Sequence, residues 1–291
     1  MKLTPRYQFY AAVTIVFWSL AYPMTTIAMR DFSSFGLAFL RYAIAGLLIL
    51  AIVWLKKLKL PAPRDLGWFF ACGLAGFVLY PIFFNYGCTA TPSSVSSTMI
   101  AITPLITAAA ARFWFGERLV LLQWGSILLA FGGVLVLLLK PGEHFSANTL
   151  WLLGAAVCLA AYNLMQRKLT GQYSSLQASA FSILAGALLL LPFSPRGLAD
   201  LLHASAAGII SMVVLGIFSS AVAYVSWAKA FSIAPSTSSV SNYMFLAPFL
   251  ATLLGFFISG ELPTGRTLVG GAIILTGMFF FQRLRKKAET V

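Results

Sequence analysis

Long apolar runs alternate with short polar breaks along most of this chain. No charged residue occurs in 7–29, 66–111, 119–139, 145–166, 169–195, 204–228, 230–260 or 267–282. A bilayer-spanning helix needs about 20 mostly apolar residues. The runs reach that length, and the longer ones are interrupted by Pro, Gly and Ser turns. The pattern predicts ten spans, near 8–28, 35–55, 66–88, 93–115, 121–139, 149–168, 175–193, 206–230, 238–258 and 266–284. The first span has no small-residue cleavage site and is long enough to cross, so it reads as a retained helix and not as a removed leader.

Composition supports the same solvent. Apolar residues make up 60% of the 291 positions and charged residues 9%. A soluble domain carries about 25% charged residues, so a large soluble core here would have too little polar surface to cover it. The net charge of +13 follows topology. With the N-terminus in the cytoplasm, fifteen cations fall on the inner side: Lys2, Arg6, Lys56, Lys57, Lys59, Arg64, Arg112, Arg118, Arg167, Lys168, Lys229, Arg283, Arg285, Lys286 and Lys287. Four fall outside, namely Arg30, Lys140, Arg196 and Arg266, and Arg41 lies within a span. This bias predicts a multi-pass protein of a bacterial cytoplasmic (inner) membrane with both termini inside. The cations form no extended basic face, so no nucleic-acid partner is expected. Cys72, Cys88 and Cys158 all lie in spans and read as small apolar residues.

The chain repeats itself. Residues 91–104 read TPSSVSSTMIAITP and residues 234–248 read APSTSSVSNYMFLAP. Each continues to Gly-Glu with the same step, Pro104 to Glu117 and Pro248 to Glu261. Tyr22 and Tyr162 each stand 24 residues before a glycine, Gly46 and Gly186, in similar Ala-Gly-Leu-rich runs. Five spans thus match the next five. An odd number makes the second set enter the membrane from the opposite side. The expected fold is an all-α membrane protein, ten transmembrane helices as a 5+5 inverted-topology repeat, with residues 1–143 as one repeat and 144–291 as the other. Such repeats are typical of secondary transporters that alternate access around a midplane site.

Candidate contacts follow from chemistry at depth. Pro104 and Pro248 lie midway along their spans and are read as gating positions, because each removes an N–H and frees the carbonyls of Ile100 and Met244. Each Pro could also be a plain packing kink. The Ser clusters are read first as small residues for close helix packing. Trp18 is a mid-span tryptophan, and Tyr22 shares its face. With Tyr80, Asn85, Thr103, Tyr162, Asn163, Tyr224, Asn242 and Tyr243 they form the expected substrate-binding set. Arg41 and Lys229 are candidate charged contacts. Arg41 has two readings, pinning or snorkelling within the architecture and binding an anionic group.

Several motifs carry a family resemblance. They are Phe17-Trp18-Ser19, Leu40-Arg41-Tyr42-Ala43-Ile44-Ala45-Gly46, Thr103-Pro104-Leu105 with Gly116-Glu117-Arg118-Leu119, and Ala247-Pro248-Phe249 with Gly260-Glu261-Leu262. Together they resemble the EamA family of the drug/metabolite transporter superfamily, over the whole chain. The resemblance implies the 5+5 inverted repeat, an architectural role for Arg41, and export of amino acids or other small metabolites. One residue more separates Pro235 from Pro248 than Pro92 from Pro104, a departure at the start of the ninth span.

The expected function is a secondary transporter, an exporter of small amphipathic metabolites such as amino acids. The partners expected are a small-molecule substrate and the lipid bilayer, and the pattern distinguishes neither monomer nor homodimer. The runner-up is a transporter or exchanger of anionic metabolites of the sugar-phosphate or nucleotide-sugar type, held by Arg41 and Lys229. A membrane enzyme or scaffold is the remaining class. The chain has no GxxxxGK[ST], GxSxG or HExxH run, and His144 and His203 stand without a metal-ligand pattern. No cofactor, metal site or catalytic residue is therefore expected. All seven acidic residues fall in loops, tails or helix ends, which favours facilitated transport or exchange over tight proton coupling.

Overall fold

The computed structural model describes residues 7–114, 116, 120–138, 147–233 and 242–288. Among these residues the regular elements are all helical. They are α1 (Tyr7–Ala28), α2 (Ser34–Leu55), α3 (Pro63–Cys88), α4 (Ser93–Trp114), α5 (Leu121–Leu138), α6 (Ala147–Thr170), α7 (Ser175–Leu189), α8 (Ala206–Ala230), α9 (Ala247–Ser259) and α10 (Gly265–Ala288). A short helix, Ser194–His203, connects α7 to α8. Six helices are long and apolar enough to cross a bilayer: α1, α2, α3, α4, α6 and α8. The number rises to seven if α7 and Leu191–His203, bent by 43° at their junction, count as one span. Shorter apolar helices occupy Leu121–Leu137, Ala247–Ser259 and Gly265–Phe281.

Four helices are irregular within their length or at their start, in two pairs. α3 contains a π-helical segment at Leu74–Leu79, and α8 contains one at Leu215–Val222. α4 is interrupted at Ala101 and Ile102, and resumes at Thr103 with Pro104 in its first turn. α9 is preceded by the 3₁₀ turn Asn242–Leu246 and begins at Ala247, with Pro248 in its first turn. Proline lacks the N–H that would continue the preceding helix but is well accommodated in a first turn, so each helix restarts at its proline.

The bundle is tied at one end by carboxylates that cross between distant segments. Ser33 caps α2, and its N–H and hydroxyl donate to Asp200 Oδ2 at 2.8 and 2.5 Å. Ser205 caps α8, and its N–H and hydroxyl donate to Asp31 Oδ2 at 3.2 and 2.5 Å. Helix N-termini present unpaired N–H groups and a positive dipole end, which a carboxylate satisfies. At the other end, Tyr173 donates to Asp65 (2.7 Å) and accepts from the Ala62 N–H (3.0 Å).

Close helix approach relies on glycine at the α5–α10 crossing. A Cβ on Gly133 would stand 2.7 Å from the Gly270 carbonyl oxygen, so any side chain there would force the helices apart. The Nε of Arg266 also donates to the Val136 carbonyl, joining the start of α10 to α5.

Candidate functional site

A cavity with about 630 Å³ of empty space, including its open mouth, lies where the irregular helices meet. α1 contributes Ile15, Trp18, Ala21 and Tyr22, and α2 contributes Arg41. Tyr80 and Phe84 come from α3, Ser97, Ile100 and Ala101 from α4, Leu159 from α6 and Tyr224 from α8. Met244 and Ala247 complete the wall at the start of α9. The wall is therefore mostly apolar and aromatic, with few polar groups, as small-molecule pockets generally are.

The irregular backbone shapes this wall. Tyr80 immediately follows the π segment of α3, and Tyr224 follows that of α8 by two residues. A π segment inserts an extra residue into the turn and rotates the next residues about the helix axis, and such segments recur at functional sites. Ser219 and Ser220 lie in the α8 segment; Ser219 donates to the Phe17 carbonyl at 2.8 Å, and Ser220 accepts from Arg41 Nε at 2.5 Å. The aromatic residues brace one another. Trp18 lies 5.3 Å from Tyr224 and 5.1 Å from Trp227, and Tyr22 lies 5.2 Å from Phe84, all by ring centroids.

The helix interruption in α4 is closed by its own residue. The Thr103 hydroxyl donates to the Ile100 carbonyl at 2.7 Å, supplying the partner that Pro104 cannot. At the start of α9 the residue before the proline is Ala247, which has no hydroxyl. No hydroxyl at this position is available to the Met244 carbonyl, the one Pro248 leaves without an N–H; Ser19 of α1 donates to the Ala247 carbonyl at 3.3 Å.

The expected contact residues thus divide. Trp18, Tyr22, Tyr80, Tyr224 and Arg41 line the cavity. Thr103 is fully buried on the Ile100 carbonyl and does not line it. Asn85 is also fully buried, donating to the Ser34 carbonyl at 3.0 Å, and so joins α3 to the start of α2. Tyr162 packs against Phe77 and Tyr224, at 5.2 and 6.3 Å between ring centroids, and its hydroxyl accepts from Gln166 at 2.9 Å. Asn163 reaches Thr107 at 3.5 Å. Tyr243 packs beside Ala11 and Ala230. Asn242 is the first residue of the 3₁₀ turn, and its side chain lies outside the described part of the structure. Lys229 is exposed and does not line the cavity. Pro104 and Pro248 sit next to the wall rather than in it.

Glu261, noted in the sequence only as part of the repeated Gly-Glu, has a visible role. Glu261 Oε2 accepts from the Ser93 N–H at 2.6 Å, at the N-terminus of α4. Gly260, at φ +67°, ends α9 in a left-handed cap with the Glu261 N–H on the Gly255 carbonyl at 3.2 Å. That reversal aims the carboxylate at Ser93, and Gly255 leaves room for both. Gly116, in the matching Gly-Glu of the first half, has φ +69°. Its neighbour Glu117 lies outside the described residues. The signal was present in the chain: Gly-Glu recurs at one fixed step after each proline, a spacing to which composition is blind.

The sequence profile of the EamA-like transporter family matches residues 6–139 and again 147–282. A probable terminal-alkyne amino-acid exporter of Streptantibioticus cattleyicolor is 29% identical over 96% of this chain and 95% of that protein. An S-adenosylmethionine uptake transporter of Rickettsia conorii is 26% identical over 88% of this chain and 85% of that protein. A solved crystal structure, 20% identical, shares the fold with a TM-score of 0.65 over 98% of this chain and all of that one.

Proposed function

The chain belongs to the EamA-like transporter family, and we propose that it is a secondary transporter that exports small amphipathic metabolites such as amino acids by alternating access. In this reading the shorter apolar helices also cross the bilayer, giving ten spans. Residues 1–143 and 144–291 are then the two inverted repeats. The protein sits in a bacterial cytoplasmic membrane with both termini inside, as the fifteen-to-four division of cations favours.

The observation that carries the reading is the cavity. It is enclosed by helices from both halves of the chain and edged by the two proline restarts and both residues that come after a π segment. Non-helical backbone at membrane depth is tolerated where it is buried in protein or lines a cavity, which is how transporter midplane sites are built. Trp18, Tyr22, Tyr80 and Tyr224 are the proposed contacts for the apolar body and the amino group, the latter through ring faces. Pro104 and Pro248 are the proposed hinges.

The two named relatives differ in direction, one an exporter and the other an uptake protein. Export is taken from the former, the more similar of the two. The substrates in both names are amino acids or amino-acid derivatives, which supports the substrate class. The sugar-phosphate reading needs two cations at the site, and Lys229 is exposed away from the cavity.

Flux in liposomes tests the proposal. Purified protein reconstituted with internal unlabelled amino acid should accumulate labelled L-leucine or L-phenylalanine by counterflow, saturably. Absence of saturable flux for any amino acid, with flux of sugar phosphates instead, overturns the substrate. Non-saturating flux overturns alternating access.

A further inference from the structure

We propose that Arg41 anchors a carboxylate of the transported molecule, so that the cavity selects compounds with one acidic headgroup on an apolar body. This deepens the transporter reading above and rests on it. Arg41 is 3% exposed, about two turns into α2, and lines the cavity. Its Nε donates to Ser220 at 2.5 Å, while its Nη1 is buried with no hydrogen-bond partner. The guanidinium carbon stands 5.5 Å from the centroid of the Tyr42 ring.

A guanidinium keeps its charge in a protein. A buried charge persists where a partner compensates it. Four carboxylates lie among the described residues, and each is engaged elsewhere. Asp31 accepts from Ser205, Asp65 from Tyr173, Asp200 from Ser33, and Glu261 from Ser93. Among the described residues no counter-charge faces Arg41. The cavity is the route by which one can arrive.

The geometry favours a carboxylate over a phosphate. A carboxylate matches the planar fork of one guanidinium. Ser220 holds Nε and so fixes the plane of the fork, leaving the other end for the ligand. Among the described residues Arg41 is the only Lys or Arg on the wall, which is otherwise aromatic and aliphatic. A phosphate dianion would keep half its charge uncompensated there. An amino group beside the carboxylate would meet the ring faces of Trp18, Tyr22, Tyr80 and Tyr224.

The test compares ligands that differ in one group, by titration calorimetry and thermal shift on the purified full chain. The probes are L-phenylalanine, L-phenylalaninamide, L-leucine and phenyl phosphate. The wild type should bind L-phenylalanine at least about tenfold more tightly than its amide, the scale of one charge-assisted hydrogen bond. Arg41→Gln should bring that ratio to about one while the amide still binds, and Arg41→Lys should give an intermediate value. Ser220→Ala should narrow the ratio, because it keeps the charge but releases the fork. Where Arg41→Gln does not fold, Arg41→Lys and Ser220→Ala decide. Four results overturn the proposal: equal binding of acid and amide by the wild type, a ratio unchanged in the variants, preference for phenyl phosphate, or binding of none of the probes. The transporter reading fails separately, by loss of saturable flux in liposomes. A fifth result, equal flux of acid and amide, would discard the Arg41 anchor and leave the transporter standing.

Discussion

The two proline restarts are spelled alike and satisfied differently. At Pro104 the preceding Thr103 closes the gap within its own helix, its hydroxyl on the Ile100 carbonyl. At Pro248 the preceding Ala247 has no such group to offer the Met244 carbonyl, and Ser19 from α1 donates further along, to the Ala247 carbonyl. The first interruption is thus closed by its own residue, while the second lacks that hydroxyl and is contacted by a neighbouring helix. α1 also donates through Thr14 to the Ala223 carbonyl at 3.1 Å and accepts on its Phe17 carbonyl from Ser219. The second restart is thus hydrogen-bonded to the helix that carries Trp18 and Tyr22. A repeated motif can place a helix restart in both copies while the hydrogen bonds around each restart differ.

Replacing the prolines should break the comparison most severely. Pro104→Ala with Pro248→Ala supplies both missing N–H groups, and turnover in liposomes should fall on the order of tenfold, about 1.4 kcal/mol in the barrier, with affinity little changed. Among the single variants Pro248→Ala should be the slower. At Pro104 the new N–H competes with the Thr103 hydroxyl already on the Ile100 carbonyl. Equal slowing by the two, or full flux in the double variant, would remove the distinction.

Thr103→Val keeps shape and deletes the internal partner. The Ile100 carbonyl is then left without it, and denaturation should show a loss of about 1–2 kcal/mol. Adding the hydroxyl at the other restart, Ala247→Thr, tests the converse: it offers the Met244 carbonyl the donor that Pro248 lacks, and denaturation should show a gain of up to about 1 kcal/mol. No gain would show that the Met244 carbonyl is already met by another partner.

Removing the Glu261 cap from α4 with Glu261→Ala should lower stability by about 1 kcal/mol, the ordinary magnitude for losing a helix cap. Glu261→Gln, which retains an acceptor oxygen, should lose less. Ser19→Ala alone should be smallest, about 0.6 kcal/mol, the average measured for a hydrogen bond between membrane helices.

Much of the helical plan was legible in the chain. Uninterrupted apolar length and Pro/Gly punctuation indicate apolar helices and their ends without reference to any neighbour. The prolines announced the interrupted backbone at Thr103 and Ala247. The mid-span Trp18, with Tyr22 one turn on, announced an aromatic face, and both residues line the cavity. The π segments were not legible. Leu74–Leu79 reads LAGFVL and Leu215–Val222 reads LGIFSSAV, apolar runs like those of any regular span. Asn85 and Thr103 looked like polar residues available to a ligand, but a tertiary hydrogen bond commits Asn85 to α2, and a local one, three residues back, commits Thr103 to the α4 gap.

The sequence by itself determined the solvent, the helical class, the places where helices restart and the identity of the one cation carried within a predicted span. These depend on local properties: transfer energy summed along a run, and the missing N–H of proline. The tertiary structure alone decided which polar groups meet. Arg41 against Ser220, Glu261 against Ser93 and Ser19 against Ala247 join residues 179, 168 and 228 positions apart. Each depends on the rotation and depth of two helices at once. In a bilayer every span is apolar almost all round, so hydrophobic periodicity carries little information about rotation, and side-chain packing and hydrogen bonds have to set it.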